Sequence, residues 1–206
     1  VLIVASEGTL RRLNACEGLG RLLGGQRNRL ICDIRPNPSV DDVLRLVNEL
    51  RHEERWGTIV AIGGGSCIDL AKAVSALQGL ADTRDLAYEE MVEAIAQKRF
   101  FQGYEPADII AIPENAPLPY IAIPTTAGTG SEVTKWATVW DFRNSRKLSV
   151  EHHGCFPKVA LMVPELTASM PPRLTLATGL DALSHAMEGF WAKKRNLLSQ
   201  ALAADS

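Results

Sequence analysis

The stretch Thr58-Ile59-Val60-Ala61-Ile62-Gly63-Gly64-Gly65-Ser66-Cys67-Ile68-Asp69-Leu70-Ala71-Lys72 decides the fold. Its first five residues have the make-up of a buried strand, and they run straight into three glycines and a helical segment. That is the opening half of a βαβ unit, and the text on either side repeats it. Upstream, residues 1–5 read as a strand and 9–23 as a helix stopped by Gly24-Gly25. Residues 30–34 read as a second strand, and 40–55 as a helix capped by Ser39 with Asp41 and Asp42 in its first turn. Downstream come a helical stretch near 88–97, a proline-punctuated loop over 106–119 and a short strand at 120–123. Residues 138–140 and 147–150 look like an antiparallel addition, and 159–163 like a strand that closes the sheet. The expected class is α/β, a doubly wound and mostly parallel sheet whose ligands lie beyond the carboxyl ends of its strands. After Pro171-Pro172 the period turns helical for good, which puts a domain boundary near residue 170.

The 206 residues are 46% hydrophobic and 22% charged, with 22 basic and 24 acidic side chains and a formal net charge of -2. That balance, with no Lys/Arg block, gives no electrostatic reason to expect nucleic acid or an anionic membrane as partner. No run of about 18 apolar residues occurs, which argues against a transmembrane helix. Both ends read as cut. Residues 1–5 open as a buried strand with no initiator Met, and the helical run 197–204 has no Gly or Asn stop, so a piece of a longer protein is expected. Cys16, Cys32, Cys67 and Cys155 fit neither a metal knuckle nor a disulfide framework, so free thiols and a cytoplasmic location are expected. Cys67, without a neighbouring base, reads as a packing residue.

Three glycines after a strand allow close backbone approach to a ligand, and the start of a helix suits an anion. Gly63, Gly64, Gly65 and Ser66 are therefore candidates to hold the phosphates of a nucleotide, and Ser66 with Asp69 is expected to form a capping box. The loop fails G-x-G-x-x-G at its last position, and no P-loop occurs anywhere. A tight strand-to-helix turn needs the same glycines, so both readings stand on this loop alone. A second hydroxyl-rich loop, Pro124-Thr125-Thr126-Ala127-Gly128-Thr129-Gly130-Ser131-Glu132, is more than turn chemistry requires. In the helix after Pro172, Thr178, Asp181, Ser184, His185 and Glu188 make one polar stripe. Asp181 and His185, four apart, suit either one shared metal ion or an Asp–His hydrogen bond on a solvated face. Two ligands do not complete a metal site, and the rest would lie beyond Ser206.

Three motifs together resemble the iron-containing (group III) alcohol dehydrogenases. They are Gly63-Gly64-Gly65-Ser66-x-x-Asp69-x-Ala71-Lys72, then Pro124-Thr125-Thr126-Ala127-Gly128-Thr129-Gly130-Ser131-Glu132-Val133, then Gly179-Leu180-Asp181-Ala182-Leu183-Ser184-His185-Ala186-x-Glu188. Pro36-Asn37-Pro38 and Pro164-Glu165-Leu166-Thr167 agree as well. The resemblance implies a Rossmann-like NAD(P)-binding domain over 1–170, incomplete at its start, and over 171–206 the beginning of an all-helical metal and substrate domain. It implies an alcohol dehydrogenase or aldehyde reductase that uses NAD(P) and a divalent metal, Fe2+ or Zn2+, on a small alcohol or aldehyde; a homo-oligomer is left open. The cofactor pyrophosphate would lie on Gly63, Gly64, Gly65 and Ser66, with Asp69 toward the nicotinamide. Thr125, Thr126 and Thr129 would line the rest of the groove, Lys147 would lie close to the cofactor and Leu166 against the adenine. Asp181 and His185 match the first two metal ligands; the family's other two are histidines far downstream.

Where many members carry Asp at the end of the first strand, this chain has Ser6 followed by Glu7, so NADPH is expected to be accepted as well as NADH. The run from Trp136 to Asp141, with Lys193-Lys194-Arg195, resembles the branch acting on phosphonoacetaldehyde, where an added basic group would suit a phosphonate. No general base is assigned, and Glu188 reads as structural. The competing readings are a dehydroquinate-synthase-like enzyme of related fold and a nucleotide-binding module that is catalytically incomplete as it stands.

Overall fold

In the computed structural model the described residues are 1–13, 25, 27–78, 84–96, 117–151 and 153–205. Strands β1 (Leu2–Ala5), β2 (Arg29–Ile31), β3 (Ile59–Gly63), β4 (Tyr120–Pro124) and β7 (Val159–Ala160) form one parallel sheet in the order β2-β1-β3-β4-β7. β5 (Trp136–Asp141) and β6 (Arg146–Glu151) make a separate antiparallel hairpin, as their patterning suggests. The helices are α1 (Glu7–Leu13), α2 (Val40–Leu50), α3 (Gly65–Leu77), α4 (Tyr88–Ala96), α5 (Pro172–Trp191) and α6 (Leu197–Asp205). The later part of the helix expected over 9–23, with its glycine stop at Gly24, and the loop over 106–116 lie outside the described residues.

Both faces of the sheet are covered, which is why its strands read as unbroken apolar runs. Leu2, Val4, Ile59, Ala61, Tyr120 and Ala122 point into the main core, while Ile3, Ala5 and Ile62 point to the opposite face against Leu10 of α1. α3 is buried nearly all round because it lies between the sheet and the β5–β6 hairpin. α2 shows the ordinary amphipathic solution, burying Val40, Val43, Leu46, Val47 and Leu50. Its cap is a reciprocal box: Ser39 Oγ accepts the Asp42 N–H at 3.1 Å, and the Asp42 carboxylate accepts the Ser39 N–H at 3.0 Å. Such a cap contributes about 1 kcal/mol.

Two strands are shorter than expected. β2 ends at Ile31, since the chain turns away with Ile34 N–H donating to the Cys32 carbonyl, and β7 ends at Ala160 as the chain approaches the 3-10 turn Pro164–Leu166. Among the described residues no helix is long and apolar enough to cross a membrane. The strand order reverses between β1 and β3, and the crevice beyond their carboxyl ends is where a sheet of this kind receives a ligand.

Candidate functional site

β3 delivers the chain into Gly63, and the glycines that follow are needed for space. A Cβ on Gly63 would lie 2.6 Å from the Cys67 Cβ; on Gly64 it would meet Thr126 at 3.1 Å, and on Gly65 Thr129 at 3.1 Å. The first glycine therefore serves the turn, and the other two let the β3–α3 and β4–β5 loops approach each other. The expected capping box at Ser66 is not formed. α3 starts two residues earlier, with Gly64 as its N-cap and no side-chain cap, so Ser66 and Asp69 already sit inside the helix. Ser66 Oγ instead accepts the Asn37 N–H at 3.1 Å. The Asp69 carboxylate accepts the Ser131 hydroxyl at 2.6 Å and the Thr138 N–H at 2.9 Å. The first turn of α3 is thus left open to an anion rather than closed by its own side chains.

A cavity of about 600 Å³ opens here. Gly65, Ser66, Asp69, Thr129, Lys147, Asp181 and His185 line it, bringing together residues from all three sequence motifs. Gly63, Gly64, Thr125 and Thr126 are not among its lining residues: Gly63 and Thr125 are buried behind it, with Thr125 N–H donating to the Gly63 carbonyl at 3.0 Å. Ser6 caps α1, its Oγ accepting the Thr9 N–H at 3.2 Å, and it stands at the end of β1 outside the cavity lining. Leu166 lies in the 3-10 turn Pro164–Leu166, also outside it. The other lining residues include Asn37, Pro38, Ser131, Thr134, Trp136, Thr138 and Trp140, which sequence reasoning did not single out as site residues. Trp136, Thr138 and Trp140 alternate along β5, so the period-2 rule could have placed all three on one face.

Burial governs the electrostatics. It raises the Asp69 carboxyl above its ordinary value, against the hydrogen bonds from Ser131 and Thr138 and the attraction of Lys72 and Lys147. It lowers Lys72 to about 8, against the attraction of Asp69, Cys155 and Glu132. The Cys67 thiol is pushed up to about 12 by burial, as suits a packing residue.

α5 is fixed over this cavity by a glycine. Gly128 has φ +126°, and a Cβ there would collide with the Thr178 carbonyl, so the loop backbone rests directly on the helix. One turn beyond Thr178, Asp181 Oδ1 and His185 Nε2 stand 3.8 Å apart on the cavity wall. That is too long for a hydrogen bond. It is shorter than two metal–ligand bonds of about 2.1 Å each, so one ion could touch both. Among the described residues no group of three or more potential ligands forms. Lys193, Lys194, Arg195 and Glu188 are exposed and do not line the cavity.

The family model for iron-containing alcohol dehydrogenases matches residues 1–164. The chain is 38% identical over 173 residues to a choline dehydrogenase of Bacillus subtilis (strain 168), covering 82% of this chain and 38% of that protein. It is 32% identical over 205 residues to an NADPH-dependent butanol dehydrogenase of Clostridium saccharobutylicum, covering 98% and 48%. Among solved structures, a sulfoacetaldehyde reductase from Bifidobacterium kashiwanohense in complex with NAD+ superposes with a TM-score of 0.77 at 32% identity, covering 98% of this chain and 48% of that one. The chain thus spans less than half the length of these three proteins.

Proposed function

Because this chain belongs to the iron-containing alcohol dehydrogenase family, we propose that it forms the nicotinamide-nucleotide half of a metal-dependent alcohol dehydrogenase or aldehyde reductase. The observation that carries this reading is the convergence of Ser66, Asp69, Thr129, Lys147, Asp181 and His185 on one cavity at the carboxyl end of the sheet. In this reading the boundary near residue 170 divides an NAD(P)-binding part from the beginning of a metal and substrate domain.

The residues present fit a nucleotide. The backbone amides at the uncapped start of α3 would receive its pyrophosphate, and Gly64 and Gly65 leave room that a Cβ would fill. Gly63, Thr125 and Thr126 would support that cradle from behind, Lys147 would lie beside the cofactor, and Leu166 would meet the adenine at the groove's outer end. Ser6, occupied in capping α1, brings no carboxylate to repel a 2′-phosphate, which supports acceptance of both NADH and NADPH. Asp181 and His185 would hold Fe2+ or Zn2+ as half of a four-ligand set. When bound, the metal supplies Lewis acidity to an alcohol or carbonyl oxygen and the nicotinamide ring supplies or accepts the hydride. The chain's own part is to bind, orient and enclose: Trp136 and Trp140 wall the cavity, and Gly128 sets α5 at its mouth.

The substrate proposed is a small alcohol or aldehyde, with phosphonoacetaldehyde as the anionic candidate. The similarity to a sulfoacetaldehyde reductase supports an anionic aldehyde, and among the described residues Lys147 is the Lys or Arg that lines the cavity. The test is reduction of acetaldehyde, butanal and phosphonoacetaldehyde by NADH and NADPH in the protein containing this chain, loaded anaerobically with Fe2+. Oxidation of the cofactor that stops in Asp181→Ala is expected. Cofactor binding without turnover at any metal would leave a binding module, and equal turnover of all three aldehydes would remove phosphonoacetaldehyde as the preferred substrate.

A further inference from the structure

Lys72 lies on α3 one turn beyond Asp69, is completely buried, and does not line the cavity. Its Nζ donates to Thr134 Oγ1 at 3.0 Å and to the Trp136 carbonyl at 2.8 Å. With the bonds from Ser131 and Thr138 to Asp69, two charged side chains on one face of α3 grip four points of the segment 131–138. That segment is a wall of the cavity, through Ser131, Val133, Thr134, Trp136 and Thr138. An ammonium is costly to bury, and an apolar side chain would fill the same space without that cost. The charge is therefore placed where it fixes backbone rather than where it fills volume.

We propose that Lys72 is a positioning residue for the nucleotide groove: together with Asp69 it sets the wall 131–138 against the glycine loop without touching the ligand. This inference rests on the cofactor reading above. The groups that face the pair are Glu132 from the 3-10 turn Ser131–Val133, Cys155 from the turn His153–Cys155, Tyr120 of β4 and Lys147 of β6. Among the described residues Glu132 Oε2 is buried with no hydrogen-bond partner, and Lys72 attracts Glu132 electrostatically.

The proposal has a pH signature. As Lys72 loses its proton near pH 8, its two charge-assisted hydrogen bonds become ordinary ones, and charge-assisted bonds are roughly twice as strong. The grip on the wall slackens. Global stability moves the other way: the folded-state pKa of Lys72 is depressed, so the unfolded chain binds the proton more strongly. The group's contribution to stability therefore rises from about pH 8 to about 10.5. A purely structural lysine predicts a firmer protein at alkaline pH; a positioning lysine predicts a looser groove.

The test compares the protein containing this chain, unaltered, with its Lys72→Met and Lys72→Arg variants. Without cofactor, hydrogen-exchange protection of the Thr138 amide, corrected for intrinsic rate, should fall about tenfold in Lys72→Met and recover in Lys72→Arg. In the unaltered protein it should fall several-fold between about pH 6.5 and about pH 9.5. The NADH dissociation constant should rise in parallel. Unchanged protection and affinity in Lys72→Met overturn the proposal. If Lys72→Met does not fold, the pH series on the unaltered protein decides, and constant or rising Thr138 protection overturns it. If the unaltered protein binds no NADH, the cofactor reading fails, while the exchange data still decide what Lys72 does.

Discussion

Gly128 shows how much of this site depends on a single missing side chain. At φ +126° an L residue is strained, and any Cβ would run into the Thr178 carbonyl. Gly128→Ala is expected to destabilise the protein by more than about 1 kcal/mol. It should also displace α5, so the thermal midpoint and the affinity for a metal probe such as Co2+ should fall together. A midpoint equal to that of the unaltered protein would contradict the contact. Cys67 is the opposite case, a residue that looks reactive from its place in a glycine loop. Its Sγ donates to the Val4 carbonyl at 3.1 Å, and burial pushes the thiol up to about 12. Native-state alkylation at neutral pH, followed by peptide mapping, should modify the half-buried Cys32 well before Cys67. Cys67 was legible as a packing residue because no base adjoins it in sequence. In the sequence Gly128 is legible only as part of a small-residue loop, since its partner Thr178 lies fifty positions away.

At the scale of elements, the hairpin β5–β6 is held to the body by polar contacts as well as by the apolar residues Ala137, Val139, Leu148 and Val150. Asp69 and Lys72 hold its first strand. At its turn the buried Asp141 carboxylate accepts from Tyr88 Oη at 2.6 Å, Arg146 Nε at 2.7 Å and the Asn144 amide at 3.1 Å. Burial raises Asp141, but these bonds outweigh it and hold the carboxyl well below the usual range. A carboxylate depressed in this way stabilises the fold above its unfolded pKa near 3.9, and that stabilisation is lost as pH falls through the folded value. Asp141→Asn should lower the thermal midpoint at neutral pH and flatten its decline on acidification. A parallel acid profile in the variant would argue against this role. The two Ser/Asp pairs show what patterning can and cannot resolve. Ser39 and Asp42 cap α2 as read. Ser66 and Asp69, at the same spacing, do not cap α3, because the helix is capped two residues sooner, at Gly64, and both side chains line the cavity instead.

Across the whole molecule, the parallel sheet covered by helices follows from alternating buried strands and helices, which are readable from apolar runs and glycine stops, whereas the strand order β2-β1-β3-β4-β7 is set by tertiary pairing. The cavity was only half readable, because Asn37, Trp136 and Trp140 reach it through tertiary packing: Trp140 N–H donates to the Pro38 carbonyl at 2.8 Å, joining hairpin and proline turn. The helices α5 and α6 bury none of their residues, and Leu176, Leu180, Leu183, Trp191, Leu197 and Leu198 stand exposed. Amides of α5 and α6 should therefore exchange far faster than those of α3, which is buried on nearly every side; equal protection would mean that the exposed faces are covered in solution. The central claim, that this cavity receives a nicotinamide nucleotide, is tested most directly by energy transfer from tryptophan to NADH, since Trp136 and Trp140 line it. A saturable transfer signal is predicted, lost in Gly65→Val because the added side chain would press on Thr129 and close the cradle. No saturable signal, or one that Gly65→Val leaves unchanged, would contradict the account.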